Sequence, residues 1–151
     1  MIKILRAKPE DVGKIAPLFD AYRVFYKQES NIAAALVFLN KNLSQDLSIV
    51  LMALWEGQII GFTQLYRTYS SVSMQAFFIL NDLYVLPEFR RKGAGEKLLK
   101  GAKELCGKLR FKGLALETAN DNPAQQLYEK LGWRKDVDYL HYFWTNPVQD
   151  S

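Results

Sequence analysis

Three small groups of residues in this 151-residue chain have types and spacing that could do chemistry. The first is Arg90-Arg91-Lys92-Gly93-Ala94-Gly95-Glu96, a basic run that leads into two glycines separated by one alanine. If a helix starts there, its first N–H groups have no partner within the helix and its dipole is positive at that end, so the site favours an anion. Gly93 and Gly95 let the backbone come close to phosphate oxygens, and a pyrophosphate suits such a cradle; the plainer reading is a glycine-containing turn between strand and helix. The second group is Asp82, the acid in the otherwise apolar stretch Ile79-Leu80-Asn81-Asp82-Leu83-Tyr84-Val85. It either meets a cationic amine, by charge or by relaying its proton through water, or caps a neighbouring amide at a strand end or bulge. The third is Tyr128 in Leu127-Tyr128-Glu129-Lys130-Leu131-Gly132-Trp133. Its phenol can donate a proton, but by spacing alone it is a core residue on an apolar helical face. One histidine, His141, reads as a sheet residue, and one cysteine, Cys106, as inert packing. A single residue of each type excludes an internal disulfide and leaves too few soft ligands for zinc, so no metal is expected.

Charge is distributed unevenly. Residues 1–89 carry eight basic and eight acidic side chains, residues 90–135 carry twelve basic and five acidic for a net +7, and the last sixteen residues carry a net −3. The overall +4 is therefore a local feature that begins at Arg90, and it suits a polyanion, either nucleic acid or a phosphorylated small molecule. With 49% hydrophobic and 24% charged residues, the chain is neither disordered nor fibrous. Its longest apolar run, Ile32 to Leu39, falls far short of the roughly 20 residues that span a bilayer. Met1 to Arg6 lacks the apolar core of a signal peptide, so a cytoplasmic protein that does not bind membranes is expected.

The elements that must position these groups follow from periodicity. Ile2 to Leu5 reads as a strand, and Pro9-Glu10-Asp11 opens a helix whose face carries Val12, Ile15, Ala16, Phe19, Tyr22 and Tyr26. A second helix fits Ile32, Ala35, Leu36, Leu39 and Leu43. Ser48 to Trp55 and Gln58 to Tyr69 are antiparallel strands about a Glu56-Gly57 turn, and Met74 to Leu86 is a third strand whose non-alternating apolar run predicts a central position. A helix follows over Ala94 to Leu109, a strand over Gly113 to Thr118, a helix from Pro123 to Gly132 and a last strand over Asp138 to Thr145. The expected fold is a mixed α/β (α+β) single domain over residues 1–146 with a polar tail at 147–151. Its order is βααβββαβαβ, a mostly antiparallel central sheet flanked by helices.

Two familiar phosphate cradles do not fit: the Walker loop needs Gly-Lys-Ser/Thr, and the dinucleotide fingerprint needs a third glycine where this chain has Leu98. The loop instead resembles that of the GNAT acetyltransferases, Arg/Gln-x-x-Gly-x-Gly/Ala, standing here as Arg90-Arg91-Lys92-Gly93-Ala94-Gly95 directly after a long strand. Downstream, Ala124 to Trp133 is similar to that family's Ala-x-x-Leu-Tyr-x-x-x-Gly-Phe element. Asn81-Asp82-Leu83-Tyr84-Val85 resembles the Glu-Asp-Phe/Leu-x-Val strand of the amine branch, of polyamine or histone type, with Asn81 in place of the glutamate.

The resemblance implies acetyl-CoA as cosubstrate. Its pyrophosphate would lie on the N–H groups of Arg91 to Glu96, beside Arg90, and its pantetheine along Leu83-Tyr84-Val85. A side chain among Asn120, Asp121 and Asn122, with Asn122 preferred, would contact the pantetheine. It also implies that an amine attacks the thioester in a ternary complex. A backbone N–H near Tyr84 or Val85 would stabilise the oxyanion and Tyr128 would protonate the leaving thiolate, although a phenol near pKa 10 then serves a thiol near 8.5. Asp82 is the candidate for assisting amine deprotonation, with Asn81, Tyr22 and Tyr26 around the acceptor. Other functions from the same sequence are a nucleic-acid-binding module using 90–135, disfavoured by its few aromatics, and a CoA-binding sensor without turnover. No nucleic-acid partner is expected, and a homodimer could pair through the aromatic last strand, Tyr139, Tyr142, Phe143 and Trp144.

Overall fold

The computed structural model describes residues 1–149 and divides the chain into two compact units, Met1–Glu117 and a second that begins at Thr118. In the first unit, β1 (Ile2–Arg6) is followed by a short 3-10 turn, Pro9–Asp11, then α1 (Val12–Phe25) and α2 (Ile32–Ser44). Next come β2 (Ile49–Trp55), β3 (Gln58–Ser70), β4 (Gln75–Val85), a second 3-10 turn at Pro87–Phe89, α3 (Ala94–Lys108) and β5 (Leu114–Ala115). The second unit contains α4 (Gln125–Lys130). The sheet order is β1-β2-β3-β4-β5, antiparallel throughout except for the parallel β4–β5 pair.

Side-chain alternation along β2 places its two faces in different layers. Val50 and Met52 join Ile15, Phe19, Ala35, Leu39 and Phe62 in the core under α1 and α2. Leu51 points to the other face, where a Cβ on Gly101 of α3 would lie 3.5 Å from its Cδ1 and 3.2 Å from Ile4 Cγ2. The chain is thus a mixed α/β sheet with helices on both faces, as its periodicity indicates.

The strand at the centre is β3 and not β4. Ile60, Phe62, Thr63, Gln64 and Leu65 are all completely buried, whereas β4 alternates, with Phe78, Leu80, Asp82 and Tyr84 buried and Asn81 exposed. The reason lies in β5, which is two residues long instead of the expected Gly113 to Thr118 and pairs only with Phe78 and Ile79. Beyond Ile79 the outer edge of β4 carries no ladder to β5, so β4 is covered on one side only for most of its active-site half.

Two further expectations are corrected. Pro123 lies in a turn ahead of α4, because the Asn122 side chain accepts the Ala124 N–H at 2.9 Å and delays the helix to Gln125. Residues 138–145 form no strand, so the order ends at α4, and the dimer pairing expected through that strand loses its basis. Tyr139, Leu140, Tyr142, Phe143 and Trp144 are all exposed, with no alternation between a covered and an open face. Aromatic composition favours strands only where a neighbouring ladder and a buried face exist, and this segment has neither.

Candidate active site

The β4 strand bulges where the chemistry was expected. Gln64 of β3 faces Asp82 while its neighbour Leu65 faces Leu80, leaving Asn81 as the extra residue. Such a bulge bends a strand and re-aims the side chains around it. Here it turns Asp82 inward to 2% exposure and leaves Asn81 outside. A buried carboxylate must be met by donors, and Asp82 has them: Gln64 Nε2 donates to Oδ2 at 2.6 Å and Asn81 Nδ2 to Oδ1 at 2.7 Å. Tyr22 of α1 adds a hydrogen bond from its hydroxyl, which also lies 3.3 Å from the Asn81 carbonyl. Burial raises the Asp82 pKa above the ordinary carboxylate range, and the bonds from Asn81, Gln64 and Tyr22 oppose that rise. The structure therefore brings Asp82, Asn81 and Tyr22 together.

Tyr26 sits beside them, its ring 5.0 Å from Tyr22, with Tyr22 in edge contact with both Phe62 and Tyr84. An aromatic wall of this kind favours a cation or an apolar carbon chain.

Several site residues escaped the sequence reading. Gln64 Oε1 accepts from Ser48 Oγ at 2.7 Å and from Asn42 Nδ2 at 3.1 Å, and Asn42 also reaches the Tyr66 hydroxyl at 3.2 Å. Thr63 Oγ1 donates to the Asp82 carbonyl at 2.7 Å. Burial raises the Tyr66 pKa, and the nearby Asp82 charge adds to that. The signal was available: Gln64 interrupts the apolar run Ile59 to Leu65, and Asn42 stands on the helical stripe of Leu39 and Leu43. Polar residues at core positions call for partners. Gly61 was missed too; a Cβ there would lie 2.8 Å from the Tyr84 carbonyl, so only glycine lets β3 approach β4 at this point.

At the end of β4, Arg90 turns back on the strand. Its Nε donates to the Val85 carbonyl at 2.8 Å and its guanidinium lies over the Tyr84 ring at 5.4 Å, so it braces the strand-to-loop corner. Lys92 rests its ammonium near Trp55 and Phe89, at 5.8 and 5.6 Å. Arg91 and Gly93 take left-handed conformations, with φ of 63° and 88°. Gly93 is the N-cap of α3 and no side chain among the described residues caps that helix mouth, which leaves the first-turn amides of Ala94, Gly95 and Glu96 for an outside acceptor. Ala94 is buried, and Glu96 turns toward Lys100 at 3.6 Å. An uncapped mouth flanked by exposed Arg91 and Lys92 fits a pyrophosphate.

The register also separates the β4 amides. The Leu86 N–H donates to the Ile60 carbonyl, so by alternation the Tyr84 amide points toward β3, while those of Leu83 and Val85 point to the open edge. Of the two amides considered for the oxyanion, Val85 is the one directed away from the ladder.

Tyr128 and Asn122 belong to the second unit. Gly132, at φ 92°, ends α4; its N–H donates to Glu129 O and that of Trp133 to Tyr128 O. This paired C-terminal motif ordinarily brings together the side chains of its outer residues. Here they are Trp133 and Tyr128, whose rings lie 6.0 Å apart. The indole Nε1 of Trp133 is buried without a hydrogen-bond partner among the described residues, and Asn122 is occupied in the turn before α4.

The model of the Acetyltransferase (GNAT) family matches residues 15–133, across both units. The chain belongs to the GNAT acetyltransferases. It is 45% identical over 149 residues to the "Uncharacterized N-acetyltransferase YhfO" of Bacillus subtilis (strain 168), covering 98% of this chain and all of that protein. A "Probable acetyltransferase" of Haemophilus influenzae (strain ATCC 51907 / DSM 11121 / KW20 / Rd) is 27% identical over 141 residues, covering 85% of this chain and 97% of its own. A crystal structure of a probable acetyltransferase superposes with a TM-score of 0.90 at 36% identity and 99% coverage of both chains. This GNAT protein is therefore an acetyltransferase, and acetyl-CoA is the cosubstrate of its family. Among the described residues no group of three or more His, Cys, Asp or Glu side chains is placed to hold a metal ion, and no helix is long and apolar enough to cross a membrane.

Proposed function

We propose that this GNAT enzyme transfers acetyl from acetyl-CoA to a primary amine by direct attack in a ternary complex. The observation that carries the proposal is Asp82: a buried carboxylate, bonded to a half-exposed tyrosine, on the strand that runs to the uncapped α3 mouth. Acetyl-CoA, when bound, supplies an acyl group activated as a thioester. The amides of Ala94, Gly95 and Glu96, with Arg91 and Lys92, would hold its pyrophosphate, and the open edge at Leu83 and Val85 would take the amide-bearing arm. Arg90 braces the corner through Val85, and the Val85 N–H is the donor for charge developing on the acyl oxygen.

An alkylammonium near pKa 10 must shed a proton before it can attack. At 2% exposure Asp82 is too enclosed for an amine to reach it directly, so the Tyr22 hydroxyl is the route by which a proton reaches the carboxylate. The raised pKa of Asp82 suits it to accept that proton. In the balanced reaction the N–C bond forms and the C–S bond breaks. Of the two protons that leave the ammonium nitrogen, one ends on Asp82 through Tyr22, and the second makes good the proton that the Tyr128 phenol gives to the departing sulfur.

Among amines, a small monocation is the best fit. Asn81, where the polyamine-type strand carries a glutamate, donates to Asp82 and adds no second negative charge. One carboxylate behind an aromatic wall of Tyr22, Tyr26 and Tyr84 suits one ammonium on a short carbon chain. The test is thiol release from acetyl-CoA against a panel of primary amines, amino acids and lysine peptides. Amine-dependent release that is strongest for monocationic amines is expected; CoA binding without release would make the protein a sensor.

A further inference from the structure

Gln64 is completely buried at the centre of the sheet, where an apolar side chain would pack at lower cost in desolvation. Its amide can sit in only one orientation. Oε1 accepts from Ser48 Oγ and Asn42 Nδ2, and Nε2 donates to Asp82 Oδ2. Turning the amide over would set its N–H groups against those of Asn42 and its oxygen against a carboxylate. Three parts of the chain, α2 through Asn42, the residue just before β2 through Ser48 and the middle of β3 through Gln64, thus combine to present one N–H to Asp82.

We infer that Gln64, locked by Ser48 and Asn42, is a positioning residue that holds the Asp82 carboxylate charged and turned toward Tyr22. The inference rests on the proposed role of Asp82. Its physical basis is that a hydrogen bond to the charged form favours that form, here inside a site whose burial disfavours it. Among the described residues the titratable groups that face Asp82 are Tyr22 from α1 and Tyr66 from β3; Asn81, Gln64, Asn42 and Ser48 are uncharged. The groups that hydrogen-bond to the carboxylate are thus phenol and amide donors. Amides cannot carry a proton onward, so the Gln64 side is closed to transfer and exchange is directed to the Tyr22 side.

The test is Gln64→Met, which keeps the volume and removes the donor. Carboxyl-carbon NMR on the folded protein should place the Asp82 titration higher by roughly one pH unit or more. The acid limb of kcat/KM for the amine should move by the same amount, with the KM for acetyl-CoA unchanged. Ser48→Ala, a milder change that releases one lock on the amide, should shift both in the same direction by less and serves if Gln64→Met does not fold. An Asp82 titration unmoved in the folded variants overturns the inference. A shifted titration with an unmoved rate profile leaves Gln64 in its positioning role and removes Asp82 from catalysis, which separates the two claims.

Discussion

The main-chain N–H of Trp133 donates to the Tyr128 carbonyl at 3.0 Å while the two rings lie 6.0 Å apart, so Gly132 and its neighbours hold the candidate acid through backbone and ring together. Tyr128→Phe keeps both contacts and removes only the hydroxyl. Turnover should fall by about 10²-fold or more, the contribution of a positioned acid, with melting temperature and CoA affinity nearly unchanged. Equal losses in rate and melting temperature would assign Tyr128 to packing.

Gly93 has no atom within 4 Å of a Cβ built on it, but its φ of 88° is strained for any other residue. Gly93→Val should therefore cost about 1–2 kcal/mol if the loop keeps its shape. If the loop relaxes instead, the amides of the α3 mouth lose their aim. In either case calorimetry should show CoA affinity falling much more than the unfolding free energy, and retained affinity would count against the cradle.

Gly61 makes the opposite case, with a backbone conformation open to any residue but no room for a side chain. A Cβ there meets the Tyr84 carbonyl at 2.8 Å, a backbone atom that cannot swing aside. Gly61→Ala should push β3 from β4 and destabilise the protein by about 1–3 kcal/mol, measured by urea unfolding, and should lower activity by disturbing the Val85 amide.

Asp20 accepts from Ser30 Oγ at 2.6 Å and from the Asn31 N–H at 2.7 Å, tying α1 to the start of α2. These bonds, led by that from Ser30, hold its pKa below the ordinary 3.8. A depressed carboxyl pKa stabilises the fold fully above the unfolded value and loses that effect as pH falls through the folded one. Asp20→Ala should therefore melt lower than the parent at pH 6, and the difference should shrink below about pH 4. A difference that persisted there would mean the loss is one of packing.

The Asp82 shift has the other sign. Its pKa lies above 3.8, so the carboxylate takes up a proton at a higher pH than a free aspartate does. The acid limb of the kcat/KM profile should accordingly fall above the usual carboxylate range, and Asp82→Asn should lower the rate and abolish that limb. A rate with no acid limb in the parent enzyme would remove Asp82 as the proton acceptor.

Much of this molecule can be read from residue order alone, because its determinants are local. A helix that begins at a bare glycine after a basic run exposes its amides wherever it sits, and the 3.6-residue stripes of α1, α2 and α3 require faces to cover. Asp82 stands out because charge inside an apolar strand is costly, and Gly132 ends α4 as its position implies. What local rules could not decide are properties of pairing. Whether Asn81 or Asp82 occupies the bulge depends on β3 register, and whether residues 138–145 become a strand depends on a partner edge that they do not find. The length of β5 determines how much of β4 is left open. Ser48 and Asn42 lie 16 and 22 residues from Gln64 in the chain, and only the packing of α2 on the sheet brings their donors and acceptors together around one carboxylate. Hydrogen bonds depend on distance and direction in space, and those are set when the sheet and helices assemble.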